Sequence, residues 1–303
     1  INGKKEPLFP GAFGIFGHGN VACLGQALEE NKKDLPTWRG HHEQNMALTG
    51  IAFSRAKRRK QIFIATSSVG PGSTNMLTAA AVAMSNRLPM LFLPGDTFAN
   101  RMPDPVLQQV EHFNNPNITQ NDAFKYVTRY FDRITRPEQI IQSLPQAIQT
   151  MIDPADCGPA CISLSQDVQG EVFDYPEEFF KEQIHTIRRS RPDDFQIKQA
   201  ADLIKKSKNP IIISGGGVFY SDATKELSEF AKKHNIPTAQ TVMGYSTMKK
   251  DDPYFLGAIG GFGGKEPNNF MKKTDLAIAI GTKLADFTTG SWTNFENPNF
   301  KLV

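Results

Sequence analysis

No stretch of about 18 consecutive apolar residues occurs in the chain, so no ordinary membrane-spanning helix is expected. The opening residues INGKKEPLF lack the apolar h-region of a secretory leader. Cysteine is scarce: the three present, Cys23, Cys157 and Cys161, are odd in number and sit in apolar surroundings. That count excludes a closed disulfide framework and predicts buried, reduced thiols in a cytoplasmic protein. The CGPAC spacing matches neither a zinc site nor a thioredoxin couple. An excess of one charge is missing too: 34 basic and 31 acidic residues leave +3, which implies no nucleic acid as partner. The basic run Lys57–Lys60 follows a predicted helix, where cations complement the helix dipole.

Several chemistry-bearing motifs are also absent. There is no G-x-S-x-G nucleophile elbow. His41 and His42 have no ligand one helical turn on, at Met46 or Ala47, so no H-E-x-x-H metal site forms and none is expected. GGFGGKE (Gly260–Glu266) lacks the first P-loop glycine and has Glu266 where Ser or Thr would meet magnesium. SGGGVFYSD (Ser214–Asp222) lies between a strand and a helix but has Tyr220 in place of the third glycine of a dinucleotide fingerprint. No acid follows about twenty residues on, so this loop reads as a tight turn packing helix on strand.

What is present is an ordinary globular balance, 39% hydrophobic and 21% charged, over 303 residues. At roughly 150 residues per domain, that length suits two. Short apolar runs alternate with helix-patterned segments. Strands are predicted at Ala12–Phe16, LPTWRG, Gln61–Ser67, Pro89–Gly95 and Pro159–Ser165. Helices are predicted at VACLGQALEE, from Glu43, at MLTAAAVAM and through PEQIIQSLPQAIQTMI despite Pro145, with an irregular stretch from Asp96 to about Gln120. YPEEFFKEQIHTIRRSRPDD reads as a linker. The same grammar then restarts with FQIKQAADLIKKS, PIIISGGG, ATKELSEFAKKHN, IPTAQTV and NNFMKKTDLAIAIGTKLADF, and ends in an apparent strand start, NFKLV. The expectation is an α/β protein of two parallel-sheet, three-layer α/β/α domains, residues 1–187 and a truncated 188–303. With no initiator Met and a last domain cut short, the chain is expected to be part of a longer one.

Glu43, in HHEQN, is the most informative polar residue. A carboxylate in a first helical turn is favourable by ~0.3–1 kcal/mol through the dipole, and nothing more need be meant. Two features favour function. Small residues behind it (Ala47, Gly50, Ala52) permit close approach, and VGPGSTN also follows a strand end, which would place both at the carboxyl edge of a parallel sheet. The residues alone leave both readings open.

The order of FGHGN, HHEQNMALTGIAFSRA, ATSSVGPGSTNMLTAAAVAMSNRLPMLFLPGD and ISLSQD resembles the N-terminal, pyrimidine-binding domain of thiamine-diphosphate enzymes of the acetohydroxyacid synthase and pyruvate oxidase group. Residues from about Pro192 onward resemble their central domain. Within the group, PDPVLQQVEHF, DAFKYVTRYFDRITRPEQ and DVQGEVFDYPEEFF are most similar to the trihydroxycyclohexanedione hydrolase family of myo-inositol catabolism. The group's third domain, which holds diphosphate and magnesium through a GDG…N signature, has no counterpart here. By this likeness the chain is the first half of such an enzyme.

The resemblance implies thiamine diphosphate and Mg2+ as cofactors, a cyclic diketone as substrate, hydrolytic cleavage of a C–C bond, and a homodimer or homotetramer. It implies that Glu43 hydrogen-bonds a pyrimidine ring nitrogen and favours the imino tautomer that takes up the thiazolium proton. The flanking histidines would be supporting polar groups. Pro71 and Asn75 match positions beside the pyrimidine, and Gln108 matches a cofactor- or substrate-side glutamine, with LQQVE leaving Gln108 or Gln109 open. His18 and Asn20 lie in a loop that faces substrate in relatives and is here one residue shorter.

Overall fold

The computed structural model describes residues 5–303, which fall into two compact units, the first ending at Arg189 and the second spanning Ser190–Val303. In the first unit the elements run β1 (Ala12–Gly14), α1 (Leu24–Glu30), β2 (Thr37–Arg39), α2 (Glu43–Ala56), β3 (Ile64–Ser67), α3 (Pro71–Thr74), α4 (Leu77–Asn86) and β4 (Leu91–Asp96). After the irregular segment come β5 (Tyr130–Ile134), α5 (Ile140–Ile152) and β6 (Ala160–Ser165). The six strands pair in parallel in the order β2-β1-β3-β4-β6-β5. The residues of β3 are all buried, as an inner parallel strand covered on both faces requires.

That order positions the site. From β1 the chain crosses to β2 on one side, then returns to β3 on the other. The loops leaving β1 and β3 therefore diverge, opening the carboxyl-edge crevice where open α/β sheets bind ligands. Beneath it, Ile62, Ile64, Leu91, Ala160 and Ile162 pack with Ala147 and Met151 of α5 in one core.

The second unit runs α6 (Asp194–Lys206), β7 (Pro210–Ser214), α7 (Gly216–Tyr220), α8 (Thr224–His234), β8 (Thr238–Gln240), β9 (Phe255–Ala258), α9 (Lys265–Lys273), β10 (Leu276–Ile280), α10 (Asp286–Thr289) and β11 (Lys301–Leu302). Its parallel order is β11-β10-β7-β8-β9. Alternation along β7 sends Ile212 into one core and Ile211 and Ile213 into another, one on each face of the sheet. Asp193 begins α6 by accepting the N–H groups of Phe195 and Gln196.

Two strands were not expected from the sequence, β5 and β9, and both are edges. An edge strand tolerates charge, so Asp132 and Arg133 interrupt the apolar run of β5. β9 contains Gly257 and pairs with β8 through a register shift. The cysteines also differ from expectation in part: Cys157 and Cys161 are buried, but Cys23 is only half-buried. Burial pushes the Cys157 thiol up to about 11 and the fully enclosed Cys161 thiol well above its ordinary value. Alkylation of the native protein at neutral pH is therefore expected to label Cys23 first, and Cys157 and Cys161 only on unfolding. Mass spectrometry of the alkylated peptides checks the order.

Candidate active site

Leaving β2, the chain is held by the Gly40 N–H on the Gly14 carbonyl (3.0 Å) and is extended at His42, so α2 starts at Glu43. His42 makes no side-chain cap bond, which leaves Glu43 as the anionic group at this helix start. The half-buried carboxylate is held on one side only. Its Oε2 accepts a hydrogen bond from Asn75 Nδ2 at 2.8 Å. No hydrogen bond reaches Oε1 from the described residues; it lies 3.3 Å from where a Cβ on Gly72 would stand. His41 and His42 are exposed, His42 Nε2 lying 3.5 Å from Asn75 Nδ2.

Asn75 reaches Glu43 because of α3. Pro71 occupies the first helical position, where its missing N–H costs nothing, and the Asn75 N–H closes the turn on the Pro71 carbonyl (3.0 Å). Gly70, just before, has φ 71°, and a Cβ there would stand 2.0 Å from the Gln108 carbonyl oxygen. Only glycine lets the backbone around Gln108 lie on this turn. Of the two glutamines left open by the sequence, Gln109 uses its side-chain oxygen on the Val106 N–H (3.2 Å), whereas Gln108 is exposed. The structure thus gathers Glu43, Pro71, Asn75 and Gln108 around α3.

The loop after β1 lies at the same crevice, with the Gly19 N–H on Ser68 Oγ (3.3 Å). Asn20 is buried and committed to that loop: Nδ2 donates to the Ile15 carbonyl (3.2 Å) and Thr66 Oγ1 (3.0 Å), and Oδ1 accepts the Gly17 N–H (3.0 Å). His18, half-buried, keeps Nε2 enclosed and without a partner. Of these two, only His18 has an unpaired side-chain nitrogen, and that atom is enclosed.

A buried polar cluster behind α3 was not read from the sequence. Asp96, fully buried at the end of β4, accepts Arg133 Nε (2.8 Å), Ser163 Oγ (2.6 Å) and the Thr97 N–H (2.8 Å). Arg133 also donates to Thr119 Oγ1 (2.8 Å) and Asp122 Oδ1 (2.9 Å). Burial works against the guanidinium charge, but Asp96 and Asp122 outweigh it and raise its pKa. Asp122 is likewise penalised by burial, yet Lys125, the Thr119 N–H and Arg133 hold its carboxyl below the ordinary value. The one visible signal was Asp96 ending an otherwise apolar strand.

In the second unit, Gly215 and Gly217 spend their N–H groups on the carbonyls of Ile280 (2.9 Å) and Gly281 (2.8 Å). That agrees with a packing turn. A cavity of about 930 Å³ there is lined by Lys225, Ser228, Lys232, Gln240, Tyr245 and Lys250, among others, and the glycine turn takes no part in it.

Two known protein domains match the chain. The family model described as "Thiamine pyrophosphate enzyme, N-terminal TPP binding domain" matches residues 11–116, and "Thiamine pyrophosphate enzyme, central domain" matches residues 197–303. The chain belongs to the thiamine pyrophosphate enzymes. It is 49% identical to a protein of Clostridium botulinum named 3D-(3,5/4)-trihydroxycyclohexane-1,2-dione hydrolase. Proteins of that name from Clostridium tetani (48%) and Bacillus cereus (47%, hydrolase 1) are similar. Each match covers all 303 residues, and the chain spans 47% of the length of each of these relatives. In this thiamine pyrophosphate enzyme chain, Glu43, Pro71, Asn75 and Gln108 all fall within the N-terminal domain match, whereas Arg133 and Ser163 lie beyond it.

Proposed function

We propose that the natural protein carrying this chain is a thiamine-diphosphate-dependent hydrolase in inositol catabolism. It would open the ring of 3D-(3,5/4)-trihydroxycyclohexane-1,2-dione by C–C cleavage to 5-deoxy-glucuronate. The observation that carries this reading is the Glu43 carboxylate, with one oxygen fixed by Asn75 and the other open above Gly72. The relatives' shared name supports the choice of substrate.

The donor set fits the cofactor. Glu43 Oε1 is a free acceptor for a protonated pyrimidine ring nitrogen, and such a charge-assisted bond is short and strong. Asn75 holds the carboxylate from behind, so the open oxygen keeps its aim. Pro71 and Gln108 would border the ring. When bound, thiamine diphosphate would supply a nucleophilic carbon, with its thiazolium ring as electron sink for the breaking C–C bond. His18 is the candidate toward the substrate, its Nε2 unpaired but enclosed until the loop shifts, and Asn20 holds that loop.

Diphosphate and Mg2+ are assigned to residues outside this chain; among the described residues no three His, Cys, Asp or Glu side chains gather as a metal site. The same proposal includes a homodimer or homotetramer in the cytoplasm, with domains at 1–187 and 188–303. Support for oligomerisation comes from Met102, Phe113 and Tyr126, which are 91%, 86% and 87% exposed on the segment after β4. No helix among the described residues is long and apolar enough to cross a membrane.

The deciding experiment assays the full-length natural protein with the cyclic diketone, thiamine diphosphate and Mg2+, following the open-chain acid. No turnover of the diketone, with acetolactate formed from pyruvate instead, would replace this reading by a synthase. Residues 1–303 alone are expected to be inactive and to show no micromolar, magnesium-dependent affinity for thiamine diphosphate, because most of the ligand's charge needs a phosphate and metal site. Isothermal calorimetry checks this.

A further inference from the structure

We propose that Asp96, Ser163, Asn121 and Ser73 form a positioning relay that fixes α3 so that Asn75 donates to Glu43. This rests on the reading that Glu43 activates the cofactor. The polarity of the chain follows from its first member. The Asp96 carboxylate, bound by the Arg133 guanidinium, only accepts, so Ser163 Oγ must donate to it (2.6 Å). The Ser163 lone pairs then face Asn121, whose Nδ2 donates to Ser163 Oγ (2.7 Å) and to the Gly95 carbonyl (2.9 Å). With its nitrogen committed twice, Asn121 must turn its oxygen to Ser73, and Ser73 Oγ donates to that oxygen. Asp96, Ser163, Asn121 and Ser73 are all fully buried, so water has no place in the sequence of bonds.

Ser73 sits in α3, between the Pro71 carbonyl that closes the turn and the Asn75 that the turn presents. α3 is only four residues long, too short to fix its own direction against the sheet. Its orientation is therefore set from outside, and Ser73 is its side-chain tie to the sheet. Each member is a positioning residue: none meets Glu43, and each acts through the next. The direction of every bond descends from one buried carboxylate at the end of β4.

The test compares Ser73→Ala and Ser73→Cys in the full-length natural protein; Cys keeps a weak S–H donor in nearly the same volume. Crystals grown without cofactor are expected to show Asn75 Nδ2 beyond roughly 3.5 Å from Glu43 Oε2 in Ser73→Ala, outside hydrogen-bond reach. Exchange of the thiazolium proton in the loaded protein is expected to slow roughly 10-fold or more, as when outer partners of a bound group are removed. Ser73→Cys should fall between wild type and Ala, and it carries the test if Ser73→Ala does not fold. An Asn75–Glu43 distance that stays near the present 2.8 Å with unchanged proton exchange overturns the relay. Failure of the Glu43 reading is seen separately, as normal turnover in Glu43→Gln, and the crystal distances still judge the relay.

Discussion

Glu43→Gln in the full-length natural protein is expected to lower turnover by roughly 10²–10⁴-fold while leaving thermal stability almost unchanged. Glutamine is nearly isosteric, and its carbonyl oxygen can keep the bond from Asn75 Nδ2 now made to Oε2. The amide nitrogen then takes the place of Oε1, the atom open above Gly72. A donor replaces an acceptor there, so a protonated ring nitrogen is no longer favoured, although an unprotonated one can still be bound. Cofactor affinity should thus change little while the proton-transfer role is lost. Were Glu43 only a helix-start anion, the substitution would cost at most ~0.3–1 kcal/mol of stability and spare turnover. Deuterium exchange of the thiazolium proton, followed by NMR, separates the two outcomes. A near-normal exchange rate in the variant overturns the catalytic role.

Arg133→Met is expected to destabilise the first unit by about 3–5 kcal/mol, the usual penalty for removing one partner of a buried ion pair. The loss is large because the variant strands the fully buried Asp96 and deprives Asp122 and Thr119 of a donor. Methionine fills similar volume, so packing contributes little to the difference. The sign of the pH dependence follows from Asp122. Burial opposes its charge, but Lys125, Thr119 and Arg133 together depress its folded pKa. A depressed carboxyl contributes stability above its unfolded pKa, about 3.9, and that contribution fades as pH falls through the lower folded value. The gap between wild type and Arg133→Met should therefore be full at neutral pH and narrow below about pH 4. Urea unfolding at several pH values measures it. A loss under about 1 kcal/mol at pH 7, the scale of an exposed ion pair, would show that Arg133 does not anchor this cluster.

Much of the fold was legible locally. Inner parallel strands are covered on both faces, so β7 and β10 appear as nearly continuous apolar runs, and β4 opens as one. Edge strands carry no such demand. β5 spends Arg133 on Asp96, and β9 bends at Gly257, so neither run rose above its surroundings. The active-site candidates were legible as types: a carboxylate opening a helix at Glu43, and a Gly-Pro turn at Gly70 and Pro71. Asn20 shows the limit of that reading. Its residue type and loop suggest a ligand contact, yet all its polar atoms are taken up by Ile15, Thr66 and Gly17.

The sequence by itself determined the periodicities, and with them two runs of alternating strands and helices, the helix start at Glu43 and the turn at Pro71. Those features depend on neighbours within a few residues, which the chain order states directly. Only the tertiary structure decided that β3 lies beside β1 rather than β2, so that Asn75 meets Glu43 across 32 positions of sequence. It also decided that Asn121 turns its oxygen to Ser73, since that choice descends from Asp96 through Ser163. Hydrogen bonds act over about 3 Å and in fixed directions, so their partners exist only once strand order and packing have brought distant residues to that separation.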